Sequence, residues 1–93
     1  MLEWDEAKAT ANFEKHGVSF EEAATCFEDP RVLMYHDVSH SGVEDRYIAI
    51  AKSDKNRILV MVFTIRRNAH GEKIYRLISA RHANKKERQI YSR

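Results

Sequence analysis

The sequence predicts a single α+β domain, in which two helices precede an antiparallel sheet and a short helix follows it. Two helical segments with clear capping residues lie before residue 31, and four extended segments rich in β-branched and aromatic residues come after them. Helices grouped ahead of strands are typical of α+β rather than alternating α/β proteins. Short turns join the extended segments, so an antiparallel meander of about four strands is expected, because parallel pairs need long crossovers. Since 93 residues suffice for one core, residues 1–93 are predicted to form one domain.

Capping residues mark the three helices. The predicted N-caps are Asp5, Ser19 and Asn84. Gly17 ends the first helix, because glycine suits the left-handed C′ position, and Pro30 ends the second, because the residue before proline avoids the α region. Glu22 and Glu87 stand three residues after the last two caps, which is the pattern of a capping box. The last helix should cover residues 85–91.

Extended runs bounded by turn residues define the sheet. The predicted strands cover residues 32–35, 46–51, 57–66 and 73–81, and a short apolar lead at residues 2–4 fits an edge strand. The third run, 57–66, is the longest and most apolar, so we expect it at the centre of the sheet. Polar residues 36–44 predict a loop, and residues 53–56 and 67–72 predict turns.

Charge is distributed unevenly along the chain, although the net charge is only +2. Residues 1–30 hold eight acidic and two basic side chains, whereas residues 81–93 hold five basic and one acidic side chain. This asymmetry predicts that the C-terminal part meets an anionic partner. The polar N-terminus lacks the hydrophobic run of a signal peptide, and no segment reaches the ~18 apolar residues of a membrane span. A soluble, cytoplasmic protein that does not bind membranes is therefore expected.

Several kinds of site are disfavoured by the residues present. The five histidines show no metal-ligand spacing with each other or with the single cysteine, and no glycine-rich phosphate loop or Ser/His/Asp motif occurs, so neither a metal nor another cofactor is expected. Cys26 lies in an apolar helical pattern and is predicted to be a buried small hydrophobe. Four aromatic residues are interpreted as core rather than as a base-stacking platform: Trp4, Phe13, Phe20 and Phe27.

Arginines on the last two strands are the main candidates for function. Residues 74–81 are apolar except at Arg76, Ser79 and Arg81, and Arg66 ends the preceding strand. An unpaired buried charge costs several kcal/mol. These arginines are therefore either solvated or paired with acids such as Glu72 or Glu87, which is the commoner outcome, or they face an anionic ligand.

The register of the hairpin between the last two strands decides which arginines share a face. If Arg66 pairs with Lys73, Arg66 and Arg81 share one face about 25 Å apart, and Arg76 lies on the other face. A slip of one residue brings Arg66 and Arg76 together on one face instead. The sequence does not choose between these registers.

Taken together, motifs spread along nearly the whole chain resemble the BrnT toxin family. The residues that carry the resemblance are Trp4, Asp5, Lys8, Asn12, residues 15–23, Phe27, Asp29, Pro30, Glu44, Arg46, Thr64, Arg66, residues 76–81, Glu87, Arg88 and Tyr91. The Lys-His-Gly-Val-Ser-Phe and Ile-Ser-Ala-Arg blocks are the most specific parts of this pattern. One departure is Ile65, which stands where the family pattern leads us to expect glutamate, so a possible base or arginine partner is missing there.

The resemblance implies a RelE-like fold and a bacterial type II toxin that cleaves RNA without a metal and halts translation. It also implies a BrnA-like ribbon-helix-helix antitoxin, through which alone the complex would contact DNA. A metal-free ribonuclease needs a base, an acid and cations that stabilise charge on phosphorus, and arginine suits the last role because it forks onto two phosphate oxygens. The predicted catalytic residues are Arg66, Arg81, Tyr91 and His16, and the predicted RNA-binding residues are Lys8, Lys15 and Arg76.

Two functions therefore stay open at the level of the sequence. The first is the endoribonuclease toxin. The alternative is a non-catalytic partner subunit that binds and stabilises a ribbon-helix-helix repressor, with the acidic N-terminal helices contacting a basic partner. Tyr91 then only packs the last helix onto the sheet, and His16 is only a cation favoured by the C-terminal end of a helix dipole.

Overall fold

A five-stranded mixed sheet forms the centre of the molecule. The computed structural model describes residues 1–40, 42 and 44–93. The elements are β1 (Leu2–Glu3), α1 (Glu6–His16), α2 (Phe20–Thr25), a 3₁₀ turn (Cys26–Glu28), β2 (Leu33–His36), a 3₁₀ turn (Val38–His40), β3 (Arg46–Lys52), β4 (Ile58–Arg67), β5 (Lys73–His82) and α3 (Lys85–Tyr91). The strand order is β1-β5-β4-β3-β2. Strand β1 runs parallel to β5, and the other neighbours are antiparallel.

The α+β class and the helix pair ahead of the meander are confirmed, but the strand count and the purely antiparallel pairing are wrong. Strand β1 precedes both helices and adds a fifth, parallel strand. A two-residue strand is too short to show alternation, and its partner lies more than 70 residues away. The predicted loop 36–44 contains the second 3₁₀ turn, and its residues 41 and 43 lie outside the described residues. No helix of the described residues combines the length and apolar composition needed to cross a bilayer.

The helix caps follow the local sequence. The Asp5 side chain accepts hydrogen bonds from the first turn of α1, and Gly17 ends the helix at φ 70°. The Ser19 hydroxyl accepts from the Glu22 backbone N–H, but the Glu22 carboxylate binds elsewhere, so the expected capping box is only half formed. Asn84 begins α3 with both halves of the box in place.

The main core lies between one face of the sheet and the helices α1 and α2. Its largest fully buried side chains include Phe20, Phe63, Leu59, Met61 and Leu77. Cys26 is fully buried there, as predicted, and burial raises the pKa of its thiol to about 12. The assignment of Phe13 to the core is wrong: its side chain is 56% exposed.

Asn12, one residue earlier on α1, makes the polar contact with the sheet. Its buried side chain donates hydrogen bonds to the Val18 and Ala80 carbonyl oxygens and accepts one from the Ala80 N–H, at 3.0, 2.8 and 3.1 Å. Strand β1 pairs with β5 only at Tyr75 and Arg76 and does not reach Ala80. The Asn12 amide therefore satisfies the backbone N–H and C=O of Ala80, which would otherwise be buried without partners. Phe13 is turned towards α2 and the solvent as a result.

A β-bulge sets the register of the β4–β5 hairpin. Thr64 lies opposite Arg76 and Phe63 opposite Leu77, but Val62 lies opposite Ser79, so the register shifts between Val62 and Phe63. Of the two registers that the sequence left open, the one that pairs Arg66 with Lys73 is not adopted, because Arg66 lies opposite Ile74. The one-residue slip is the arrangement adopted at the hairpin end of the strands.

Candidate active site

The second face of the sheet carries the candidate site. Helix α3 covers one end of this face, where Tyr91 and Ala83 pack against Ile50 and Val60 in a small second core. Further along the same face, Ile48 and Val62 are only half-buried. This end of the sheet is therefore open to a ligand.

Strand pairing places four arginines on the open face: Arg46, Arg66, Arg76 and Arg81. Arg46 of β3 lies opposite Thr64 of β4, which lies opposite Arg76 of β5. Residues directly opposite each other project from the same side of a sheet, and so do residues two apart on one strand. Arg81 lies opposite Val60, which is four residues from Thr64 on β4. Arg81 therefore projects from the same face, roughly 13 Å along the strands from the row of Arg46, Thr64 and Arg76.

A groove of about 390 Å³ opens between two of these arginines. It is lined by Asp37, Ser39, Arg46, Ile48, Val62 and Arg81. Ile48 and Val62 form an apolar floor, and the Ser39 hydroxyl donates to an Asp37 carboxylate oxygen at 3.0 Å. Two guanidiniums and a carboxylate around an apolar floor suit a ligand that has both phosphate and apolar parts.

Arg81 is held by a carboxylate from α3. Two nitrogens of its guanidinium each donate to Glu87 at 2.8 Å, and the same carboxylate accepts from the Asn84 backbone N–H. Hydrogen bonding to Glu87 raises the pKa of Arg81, and Arg81 in turn lowers the pKa of Glu87. The Arg81 side chain is still 43% exposed, so it is oriented and permanently charged while facing solvent.

Arg66 and Arg76 form a separate cluster around one carboxylate. Glu3 of β1 accepts from Arg76 at 2.6 Å and from Arg66 at 3.1 and 3.3 Å. These two hydrogen-bonded arginines lower the pKa of Glu3. Arg66 stands six residues along β4 from the partner of Arg81, a separation of roughly 20 Å. Arg66 and Arg81 therefore share a face but not a site.

Tyr91 anchors α3 rather than lining the groove. Its hydroxyl donates to Asp29 at 2.6 Å, its ring lies beneath the Arg31 guanidinium at 5.6 Å, and its side chain is 6% exposed. Burial, followed by the bond to Asp29, raises the pKa of this phenol. The hydroxyl proton is thus already shared with a carboxylate at the other end of this face.

The three predicted site residues of α1 lie away from the groove. This helix packs through Ala9 on the main core, on the opposite side of the sheet. Lys8 and Lys15 are exposed and His16 is half-buried. Among the described residues, no hydrogen bond or ion pair joins any of them to the arginines of the open face.

Sequence reasoning gave no role to four residues around these clusters: Glu3, Tyr35, Asp37 and Arg46. Arg46 was visible only as part of a family-like motif, and its pairing opposite Thr64 is what brings it to the site. The pKa of Arg81 is raised chiefly by Glu87 and to a smaller extent by Tyr35 of β2. Composition carries no signal for Glu3, because its partners are 63 and 73 residues away.

The fold and the open face define a small α+β protein with a cationic groove that suits a phosphodiester ligand. Residues 4–87 match a family model described as the ribonuclease toxin BrnT of a type II toxin-antitoxin system. The chain belongs to this BrnT family of ribonuclease toxins. Its antitoxin partner and RNA substrate follow from that membership in general form.

A solved structure supports the assignment of the fold. The crystal structure of the Brucella abortus ribonuclease toxin BrnT matches with a TM-score of 0.63 and 22% sequence identity, covering 90% of this chain and 96% of that one. At this identity the likeness concerns the fold. No curated protein matches the chain.

Proposed function

We propose that this protein is a metal-independent endoribonuclease that cleaves RNA in the groove between Arg46 and Arg81 and thereby inhibits translation in the cytoplasm. The observation that carries the proposal is the pair of guanidiniums lining one groove with the Asp37 carboxylate. Guanidiniums can supply the positive charge that a phosphoryl transition state requires. They remain charged at every physiological pH.

The proposed chemistry uses the 2′-hydroxyl of RNA as the nucleophile. Asp37 accepts the hydroxyl proton, and the Ser39 hydroxyl, bonded to the same carboxylate, orients it. The attacking oxygen forms a bond to phosphorus and the bond to the 5′-oxygen breaks. The departing 5′-oxygen takes a proton from water, so the products are a 2′,3′-cyclic phosphate and a 5′-hydroxyl. Arg81 stabilises the developing negative charge on the phosphoryl oxygens, with Glu87 as its positioning residue.

Tyr91 and His16 were predicted to move protons, and we now assign neither to the reaction. The Tyr91 hydroxyl is engaged by Asp29. His16 belongs to a helix that packs on the other side of the sheet. Lys8 and Lys15, on the same helix, are assigned at most to long-range attraction of RNA, which needs no contact with the groove.

The first experiment measures RNA cleavage by the purified protein in EDTA. We expect fragments that end in 2′,3′-cyclic phosphate, because the proposed attack needs the 2′-hydroxyl and no metal ion. A DNA oligonucleotide of the same sequence is the control and should stay intact. RNA that stays intact with and without added Mg²⁺ would contradict the activity, whereas cleavage that requires Mg²⁺ would contradict metal independence.

A second surface supports the proposed contact with a DNA-binding antitoxin of the ribbon-helix-helix type. A groove of about 360 Å³ between α1 and α2 is lined by Glu6, Ala9, Thr10, Phe13, Glu14, Ser19, Phe20 and Glu21. An exposed phenylalanine within an acidic rim complements a basic partner that carries an apolar side chain, and DNA-binding proteins carry basic surfaces. The toxin itself then reaches DNA only through the antitoxin.

Replacing Phe13 by aspartate should abolish co-purification with an antitoxin encoded by the neighbouring gene and leave RNA cleavage unchanged. The aspartate removes the apolar anchor and adds a fourth acid to the groove. Met34→Asp makes the same change at another exposed apolar side chain, 43% accessible, and should leave the complex intact. Equal binding by both variants would argue against this docking surface. Co-purification by a wild-type protein that cuts no RNA would favour the non-catalytic partner subunit.

A further inference from the structure

The cluster of Arg66, Glu3 and Arg76 has the features of a second ligand site rather than of a simple ion pair. One carboxylate is shared by two guanidiniums, so the cluster keeps a net positive charge. The side chains of Arg66, Arg76 and Glu3 are 56%, 39% and 28% exposed. An anion can therefore reach all three side chains from solvent.

Both guanidiniums keep unused donors. Arg76 donates to Glu3 through its Nη1, and Arg66 donates to Glu3 through its Nη2. Within residues 1–40, 42 and 44–93, neither arginine side chain makes another hydrogen bond. A guanidinium has five N–H donors. The Arg66 contacts are also long, at 3.1 and 3.3 Å, which indicates a weakly held side chain. A phosphate with its two free oxygens can engage both arginines while Glu3 retains one contact.

The cluster of Glu3, Arg66 and Arg76 lies on the same face of the sheet as the groove between Arg46 and Arg81, so its positive charge adjoins that of the groove. Arg76 shares a row across the sheet with Arg46, which lines the groove, and Arg66 stands two residues beyond that row on β4. Arg76 is roughly 13 Å from Arg81 by strand geometry. A single-stranded RNA backbone covers this distance in about two nucleotides.

We propose that Arg66 and Arg76 form a phosphate subsite that binds the RNA backbone about two nucleotides from the scissile phosphate, with Glu3 as a competing carboxylate that limits its affinity. The inference rests on the proposed function, because it takes the groove at Arg81 as the place of cleavage. It predicts that substrates gain affinity when they are long enough to span both clusters.

Binding of 2′-O-methyl oligoribonucleotides, which cannot be cleaved, tests the subsite. Fluorescence anisotropy compares a dinucleotide with a hexanucleotide of the same base. In the wild type, we expect the hexamer to bind at least about tenfold more tightly. Arg66→Ala combined with Arg76→Ala should remove this difference by weakening the hexamer alone. Glu3→Gln should tighten hexamer binding about threefold, because it removes the competing charge.

Matched variants separate the possible outcomes. Arg66→Ala alone removes only the two long contacts and should lower hexamer affinity in a fully folded protein, which thermal unfolding checks. Arg67→Ala removes the same charge from the neighbouring position, whose side chain projects from the other face of β4, and should leave the length difference in place. If the double variant and Glu3→Gln bind the hexamer like the wild type, the subsite is refuted.

Arg81→Ala distinguishes failure of the subsite from failure of the proposed function. It should weaken the dinucleotide and the hexamer alike, because both lengths occupy the reaction groove. A length difference that persists without any effect of Arg81 would overturn the proposed cleavage site while leaving the Arg66 and Arg76 cluster as an RNA-binding site. An Arg81 effect without a length difference would overturn the subsite alone.

Discussion

Replacing Arg81 by alanine is expected to lower the rate of RNA cleavage by about 10²–10³-fold, the usual loss when one preorganised donor to a transition-state oxyanion is removed. Arg81 is the groove arginine whose orientation is fixed by two bonds of 2.8 Å to Glu87. Both Nη atoms of Arg81 already donate to Glu87, but the N–H groups that Glu87 leaves unused keep the fixed planar geometry of the guanidinium. A lysine ammonium lacks this geometry, so Arg81→Lys should restore only part of the rate. Single-turnover cleavage of a labelled oligonucleotide measures the chemical step directly.

Two controls separate catalysis from folding and from net charge. Arg93→Ala removes one positive charge from the exposed last residue and should cleave at the wild-type rate. Thermal unfolding of Arg81→Ala should show a native transition, because Glu87 keeps its bond to the Asn84 backbone and α3 stays capped. A folded Arg81→Ala protein that cleaves RNA as fast as the wild type would rule out this residue as a transition-state contact.

Replacing Glu22 by glutamine should destabilise the protein by about 2 kcal/mol at neutral pH. The Glu22 carboxylate, on a 2% exposed side chain, accepts from both Arg57 and the Ser53 hydroxyl and so ties α2 to the turn between β3 and β4. Glutamine has the same shape, but an NH₂ group replaces one of the two carboxylate oxygens. That NH₂ group cannot accept the hydrogen bonds that Arg57 and Ser53 donate. A loss of this size corresponds to a fall in melting temperature of roughly 10 °C for a domain of this length.

The pH dependence of this stability difference has a definite sign. Hydrogen bonding to Arg57, with a further contribution from Ser53, lowers the pKa of Glu22 from 4.5 to about 2. A depressed carboxyl pKa stabilises the folded state above the unfolded value, and this stability is lost as the pH falls. The difference between wild type and Glu22→Gln should thus be constant above about pH 5 and shrink between pH 4.5 and pH 2.

Glu21 provides the matched control for this measurement. It is the preceding residue of α2, is exposed, and carries the same side chain. Glu21→Gln should therefore change the free energy of unfolding by less than about 0.5 kcal/mol. Urea unfolding at several pH values gives both comparisons. A pH-independent difference for Glu22→Gln would show that the lost stability comes from packing and not from the carboxylate charge.

Part of the candidate site could be predicted from the sequence. Glu87 was one of the two acids considered as partners for the strand arginines, and it is the one that binds Arg81, 6 positions away in the chain. The charge distribution likewise indicated an anionic partner for the C-terminal part of the chain. The register of the β4–β5 hairpin was not predictable from the sequence, because two registers one residue apart bury similar numbers of apolar side chains. In addition, the bulge at Ile78 changes the register within the hairpin.

By itself, the sequence determined the helix caps, the four longer strands and the α+β class, because those features depend on residues a few positions apart. Only the tertiary structure decided that β1 joins β5, that Glu3 gathers Arg66 and Arg76, and that Arg46 faces Arg81 across a groove. The Glu3 contacts join residues 63 and 73 positions apart, and the groove needs three strands and a connecting segment in register. Such contacts depend on how strands pair and which face each side chain takes, and local residue preferences do not encode that choice.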